Sequence, residues 1–239
     1  AAPANEALSL SEMQISGCGG VAVAMPFRAL YGLGGGSSFS GNAGGDGIAA
    51  SGIAGTTATL SRDATVPTGA RLFARSYLTV APGATLTLPK GTEFRSAPGA
   101  GLRVDGALIA DGAPESPILF TADGASPAPA TWQSLGFSAT SKGTLNHVEV
   151  RYAGSPTSMP GYSAMAGSLI IAGGDVTLNG GLIRDGAGSN VILRGASTKL
   201  TSARTTLLSS SDAAYVRLVD DAGQGIRTFG GATETGCDF

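Results

Sequence analysis

The chain has 239 residues, a net charge of −2 and only 13% charged side chains. It shows no basic patch of the kind a nucleic-acid binder needs, and no run of eighteen apolar residues that would make a membrane span. Glycine is abundant, 38 of 239, while aromatics are only 6%; a narrow core of small stacked side chains suits this composition better than a large globular one.

The sequence begins Ala1-Ala2-Pro3-Ala4. A mature chain begins so after cleavage at small residues, although an arbitrary boundary would look the same. The expectation is export: secreted, periplasmic or at the cell surface. Cys18 and Cys237 lie near opposite ends and suit an oxidising compartment. A disulfide between them and two free thiols both stay open. In a rod of stacked coils the ends are too far apart for the roughly 7 Å Cα separation a disulfide allows. Pairing would need a terminal segment that runs back along the rod, or a second chain.

Residues 1–56 have the least regular pattern. Leu8, Leu10, Met13 and Ile15 precede a glycine-rich stretch from Gly32 to Gly47. This segment is expected to be an N-terminal cap with an irregular first coil, because an open solenoid end exposes its backbone edge and core. The glycines form neither GxGxxG nor GxxxxGK[ST], so they do not cradle a phosphate, and Gly44-Gly45-Asp46-Gly47 lacks the recurrence of a calcium-binding repeat.

From Thr57 to the end, residues 57–239, short alternating runs are cut by Gly, Pro and Asp. Leu86 and Leu88 alternate with Thr85 and Thr87, Leu102 and Val104 with Arg103 and Asp105, and Val148 and Val150 flank Glu149. Period two marks strands with one buried face. Leu86, Val104, Phe120, Phe137 and Val150 are expected to point inward. Pro114, Pro117, Pro127 and Pro129 mark corners, since proline cannot donate to a ladder. The second half repeats weakly: the segment from Thr144 aligns with that from Thr177 at an offset of 33, and Lys199-Leu200-Thr201 follows at 22. Such periods signal a solenoid. The alignment puts Leu145, Leu178 and Leu200 in one interior column and stacks Asn146 on Asn179, trading side-chain amide bonds. Ser155 to Ser168 becomes an inserted loop. Roughly seven or eight coils at about 4.8 Å would give a rod of about 35 Å.

Ala81-Pro82-Gly83, Ala84 to Leu88, Gly101 to Gly112, Pro117 to Thr121 and Trp132 to Phe137 follow one another within about a third of the chain. In that order they resemble secreted bacterial proteins of the right-handed parallel β-helix, pectin-lyase-like type. The resemblance implies an all-β, single-stranded right-handed parallel β-helix. It implies no particular activity, because this fold hosts lyases, hydrolases, adhesins and proteins with no known reaction.

Galacturonan hydrolases of this fold carry paired aspartates, Gly-His-Gly and Arg-x-Lys. Here there is one pair, Asp220-Asp221, and one histidine, His147, between Asn146 and Val148. Arg217, Arg227 and Lys199 do not form the basic motif. The aspartates read as a solvated turn. His147 has no GxSxG, cysteine partner or HExxH around it and reads as a surface strand residue. Asp105, Asp111, Glu115 and Asp123 are the candidates for calcium, yet each sits at a turn signal where such side chains cap the backbone; no other cofactor is expected. Trp132 could stack on a sugar, but a packed corner beside Phe137 is the expected place. Arg151 and Arg184, if stacked, would need Glu149 or Asp185 between them. Thr57, Thr59, Thr85, Thr87, Thr205 and Thr206 raise ice- or crystal-surface binding as a minor alternative, without recurring at a fixed period.

The expected function is a non-catalytic, adhesin-like scaffold that presents loops to a polysaccharide or a surface protein. The alternative is a polysaccharide lyase or glycoside hydrolase working in a groove along the rod with Asp220, Asp221 and His147. The loop from Ser155, with Met159, Tyr162 and Met165, is the candidate binding anchor: it interrupts the repeat and offers adaptable apolar side chains.

Overall fold

The structure, a computed structural model, describes residues 9–52, 58–155, 165–208, 215–219, 227–230 and 233–235. It is a parallel β-solenoid. From Ala58–Leu60 onward each coil contributes one strand to each of three parallel sheets, so three faces run along the stack. Leu78–Val80, Thr85–Pro89 and Glu93–Ser96 make one coil. Leu102–Val104, Ala107–Asp111 and Ile118–Ala122 make the next. The following coil is Leu135–Phe137, Lys142–Asn146 and Val148–Arg151, then Gly167–Ala172, Asp175–Asn179 and Leu182–Arg184. Faces one and two have seven strands each and face three has nine among the described residues. All named pairings are parallel, so the alternation in each strand becomes columns of like side chains down each face.

The inward columns are apolar. On face two Leu88, Ala110, Leu145 and Leu178 are successive neighbours. On face three Leu72, Phe94, Phe120 and Val150 stack, with the Phe94 and Phe120 rings 5.5 Å apart and tilted by 38°. Leu86, Val104, Phe120, Phe137 and Val150 are all buried, as expected. Burying a side chain of this size contributes about 1.5–3 kcal/mol. The column through Leu86 and Leu108 meets Gly143, where a Cβ would lie 2.7 Å from the Phe137 ring. Gly143 is the gap that Phe137 fills from across the core.

Two parts of the sequence reading change. Leu200 pairs with Val176, and Leu178 pairs with Ser202, so Leu200 leaves the expected column by two residues. Asn146 and Asn179 do stack in register, but the Asn146 amide donates to Asp111 at 2.9 Å and Asn179 accepts from Arg204 at 2.7 Å. The carboxylate and guanidinium are stronger partners than another neutral amide.

The boundary expected at 56/57 falls among residues outside the described ones. Ahead of it, Val23–Pro26 and Gly47–Ser51 already belong to face three. Between them the 3-10 helix Phe27–Gly32 packs against Ala58–Leu60 and Ala64–Thr65. Its Phe27 and Leu30, with Leu33 beyond it, are buried and close that end of the core. Gln14–Ser16 pairs with Ser38–Ser40 in a separate two-stranded sheet.

Candidate functional site

Face three is an ion-pair ladder. Glu93 accepts from Arg71 at 3.1 Å and from Arg95 at 2.8 Å. Two coils on, Glu149 accepts from Arg151 and, at 2.7 Å, from Arg184, which also reaches Asp185 at 2.9 Å. Burial pushes the Glu149 carboxyl up, but the hydrogen bonds from Arg151 and Arg184 outweigh it and hold the group below the usual carboxylate range. The same hydrogen bond to Glu149 raises Arg184. Arg151 and Arg184 stack with the acid between them, as their spacing predicts.

The calcium candidates are used differently. Asp105 pairs with Arg103 at 2.7 Å, Asp123 with Arg75, and Asp111 accepts from Asn146. Glu115 is exposed. Among the described residues no three His, Cys, Asp or Glu side chains come together as a metal site. Asp46, in the single Gly-Gly-Asp-Gly run, accepts from the Asn42 backbone at 2.9 Å and the Asn42 amide at 2.8 Å. Those bonds, the backbone one foremost, hold its carboxyl below the ordinary value.

His147 lies between Lys142–Asn146 and Val148–Arg151 rather than within a strand, with φ +45°. Its backbone N–H donates to Asn179 at 2.8 Å and its carbonyl accepts from Ile118 at 3.0 Å, so it is a ladder-bonded corner. Trp132 is fully buried, and its indole N–H donates to the Arg151 carbonyl at 2.6 Å, which satisfies its one polar atom.

Asp220, Asp221, Met159, Tyr162 and Cys237 lie outside the described residues. Cys18 is half-buried, its backbone N–H bonded to the Asn42 side chain at 3.0 Å. Met165 is half-buried and packs on Ile170 and Ile192, two buried residues that face outward from face one, together with Tyr77 and Val219. The expected loop ends before Ser168, because Gly167–Ala172 is a strand and Ser168 is buried.

Face two carries what the sequence reading missed. Thr65, Thr87, Ile109, Thr144, Thr177 and Thr201 are successive lateral neighbours on its outer side. Ile109 is 39% exposed, large for an apolar side chain here. Beside them runs a second outward column of Thr85, Ala107, Lys142, Asp175 and Lys199. Of the threonines singled out from sequence, Thr57 lies outside the described residues, Thr59 is on face one, Thr206 is on face three, and Thr205 is buried against Ser202. Thr85 and Thr87 alone belong to this surface.

A groove of about 840 Å³ opens at the N-terminal end of the column. Tyr31, Asp63, Thr65, Thr85, Thr87 and Ile109 are among its walls. The Arg62 guanidinium sits 4.8 Å over the Tyr31 ring, and Asp63 accepts from the Thr85 backbone N–H at 2.8 Å. A smaller depression of about 290 Å³ adjoins it at Thr85, lined by Asp105, Thr140 and Lys142 among others. The chain matches no family model, no curated protein and no solved structure.

Proposed function

We propose that this chain is a non-catalytic module of the right-handed parallel β-helix type, exported by a bacterium, that presents its surface to a glycan or surface-protein partner. The observation that supports the reading is the use made of the acids. Glu93, Glu149, Asp105 and Asp123 are each tied to a guanidinium on the solenoid wall. Sugar cleavage by two carboxylates requires them to face each other across a substrate, about 5–9.5 Å apart. A wall of neutralised acids serves rigidity instead, and rigidity suits a surface that binds without reacting.

The test is incubation of the purified protein with a panel of acidic and neutral polysaccharides. Reducing ends and the ultraviolet absorbance of unsaturated products report cleavage, and co-sedimentation reports binding. Binding without cleavage is the expected result. Release of either product, abolished by Asp220→Asn with Asp221→Asn, would replace the scaffold with an enzyme.

A further inference from the structure

We infer that the groove at Tyr31 and the threonine column running from it form one binding track for an extended, uncharged polysaccharide lying along the solenoid axis. This rests on the scaffold reading above and names its ligand class and its face.

The three faces differ in what they leave available. Face three spends its long side chains on ion pairs. Face one has its outward Ile170 and Ile192 covered. Face two presents Thr65, Ile109, Thr144, Thr177 and Thr201 to solvent, with Thr87 half-buried among them. Six positions at the strand spacing of about 4.8 Å span roughly 24 Å. An extended β-linked hexose chain advances per sugar by a length close to that spacing, so successive rings meet successive coils.

The chemistry of the column fits a sugar. A threonine hydroxyl both donates and accepts, as sugar hydroxyls do. Its methyl, like the Ile109 side chain, suits the C–H face of a pyranose. Threonine is stiff at χ1 and these sit on a hydrogen-bonded sheet, so little ordering entropy is lost on binding. At the head of the track Asp63 and Tyr31 are already fixed by Thr85 and Arg62. A carboxylate that can accept from two hydroxyls beside an aromatic ring is a combination that orients a sugar, and a groove of about 840 Å³ is in the range of small-ligand sites.

Charge selects against an ionic polymer. The flanking column alternates Lys142, Asp175 and Lys199, so a polyanion would gain at two coils and lose at the one between and at Asp63. The same charges tell against a lattice of ice, which offers no counter-charge and no regular lattice position for an ammonium or a carboxylate with its hydration shell.

The experiment uses the full chain in co-sedimentation with microcrystalline cellulose and chitin, and affinity electrophoresis with soluble mixed-linkage β-glucan, xylan and polygalacturonate. Thr144→Val with Thr177→Val removes two hydroxyls with little change of shape. Thr144→Glu with Thr177→Glu blocks the track, and Thr206→Glu on face three is the control, with folding followed by circular dichroism. The expected result is binding to at least one uncharged β-linked polymer, weakened about tenfold or more by either double variant and unchanged by the control, a loss of the size produced by removing central anchors. Binding that the double variants leave intact overturns the track while sparing the scaffold reading. Binding to polygalacturonate alone, or to no polymer, overturns the ligand class; ice-growth inhibition lost in the double variants would reassign the face to ice. Cleavage of any polymer overturns the scaffold reading itself.

Discussion

Arg184 donates from Nε to Oε1 of Glu149 at 2.7 Å, across the step between adjacent coils. Arg151 lies directly opposite Arg184 and donates to the same carboxylate. Burial raises the acid's pKa, the two guanidinium hydrogen bonds lower it, and the balance is a depressed value. A group depressed in the folded state contributes stability above its unfolded pKa, near 4.3 for glutamate. That contribution is lost as pH falls through the folded value. The melting temperature should therefore drop on acidification below about pH 4, and Glu149→Gln should lower it at pH 7 while narrowing the gap to wild type in acid. Glu149 is largely covered but the two guanidiniums are about a third exposed, so solvent screens each pair to about 0.2–1 kcal/mol. A gap that stays constant from pH 7 to pH 3 in scanning calorimetry would count against the ladder.

Phe120→Ala should cost about 3–5 kcal/mol in urea unfolding, the range for a buried phenylalanine. Its ring meets Phe94 and lies between Phe94 and Val150 in the inward column, so the cavity has little chance to collapse. A loss below about 1 kcal/mol, typical of surface sites, would be inconsistent with that column.

His147 and Gly180 should be coupled. Gly180 has φ +66°, and a Cβ there would lie 2.6 Å from the His147 Nδ1. Gly180→Ala should cost about 1–2 kcal/mol for the left-handed backbone alone, plus the displacement of the ring. In a His147→Ala background the second part disappears. A double-mutant cycle that is additive within about 0.5 kcal/mol would show the ring and the glycine to be independent. His147→Ala by itself should leave polysaccharide binding unchanged.

Asn190 is buried, and its amide donates to the carbonyls of Ile183 at 2.8 Å and Leu208 at 3.2 Å. Removing the donor takes both hydrogen bonds away, so Asn190→Ala should destabilise by about 1–3 kcal/mol. A neutral effect on thermal unfolding would mean that water replaces the amide.

Alternation made the core legible: Leu86 and Val104 face inward, and their neighbours Thr85, Thr87, Arg103 and Asp105 are polar. The same rule could not place Leu200. A slip of two residues keeps every side chain on its own face, so the pattern fits Leu178 and Val176 equally well as partners, and only the ladder chooses Val176. The threonine column was hidden for a related reason. Thr87 to Ile109 is 22 residues, Ile109 to Thr144 is 35, Thr144 to Thr177 is 33 and Thr177 to Thr201 is 24. The corners absorb the difference in length, and a search for a fixed period sees no array. Asn146 was stacked on Asn179 correctly but given the wrong hydrogen-bond partner, because Asp111 becomes its neighbour only once the coils stack.

The threonine column is scattered along the chain and continuous in space. Selection for its ligand would therefore act on single residues in strands 22 to 35 positions apart and leave the inward residue on either side of each one to a different pressure. Relatives of this chain should show substitutions that travel together as widely separated single sites, Thr144 with Thr177 and Thr177 with Thr201, while neighbours such as Leu145 and Leu178 vary to their own rhythm. Corner lengths should drift freely, since an inserted residue there changes the count between teeth of the comb without moving the teeth.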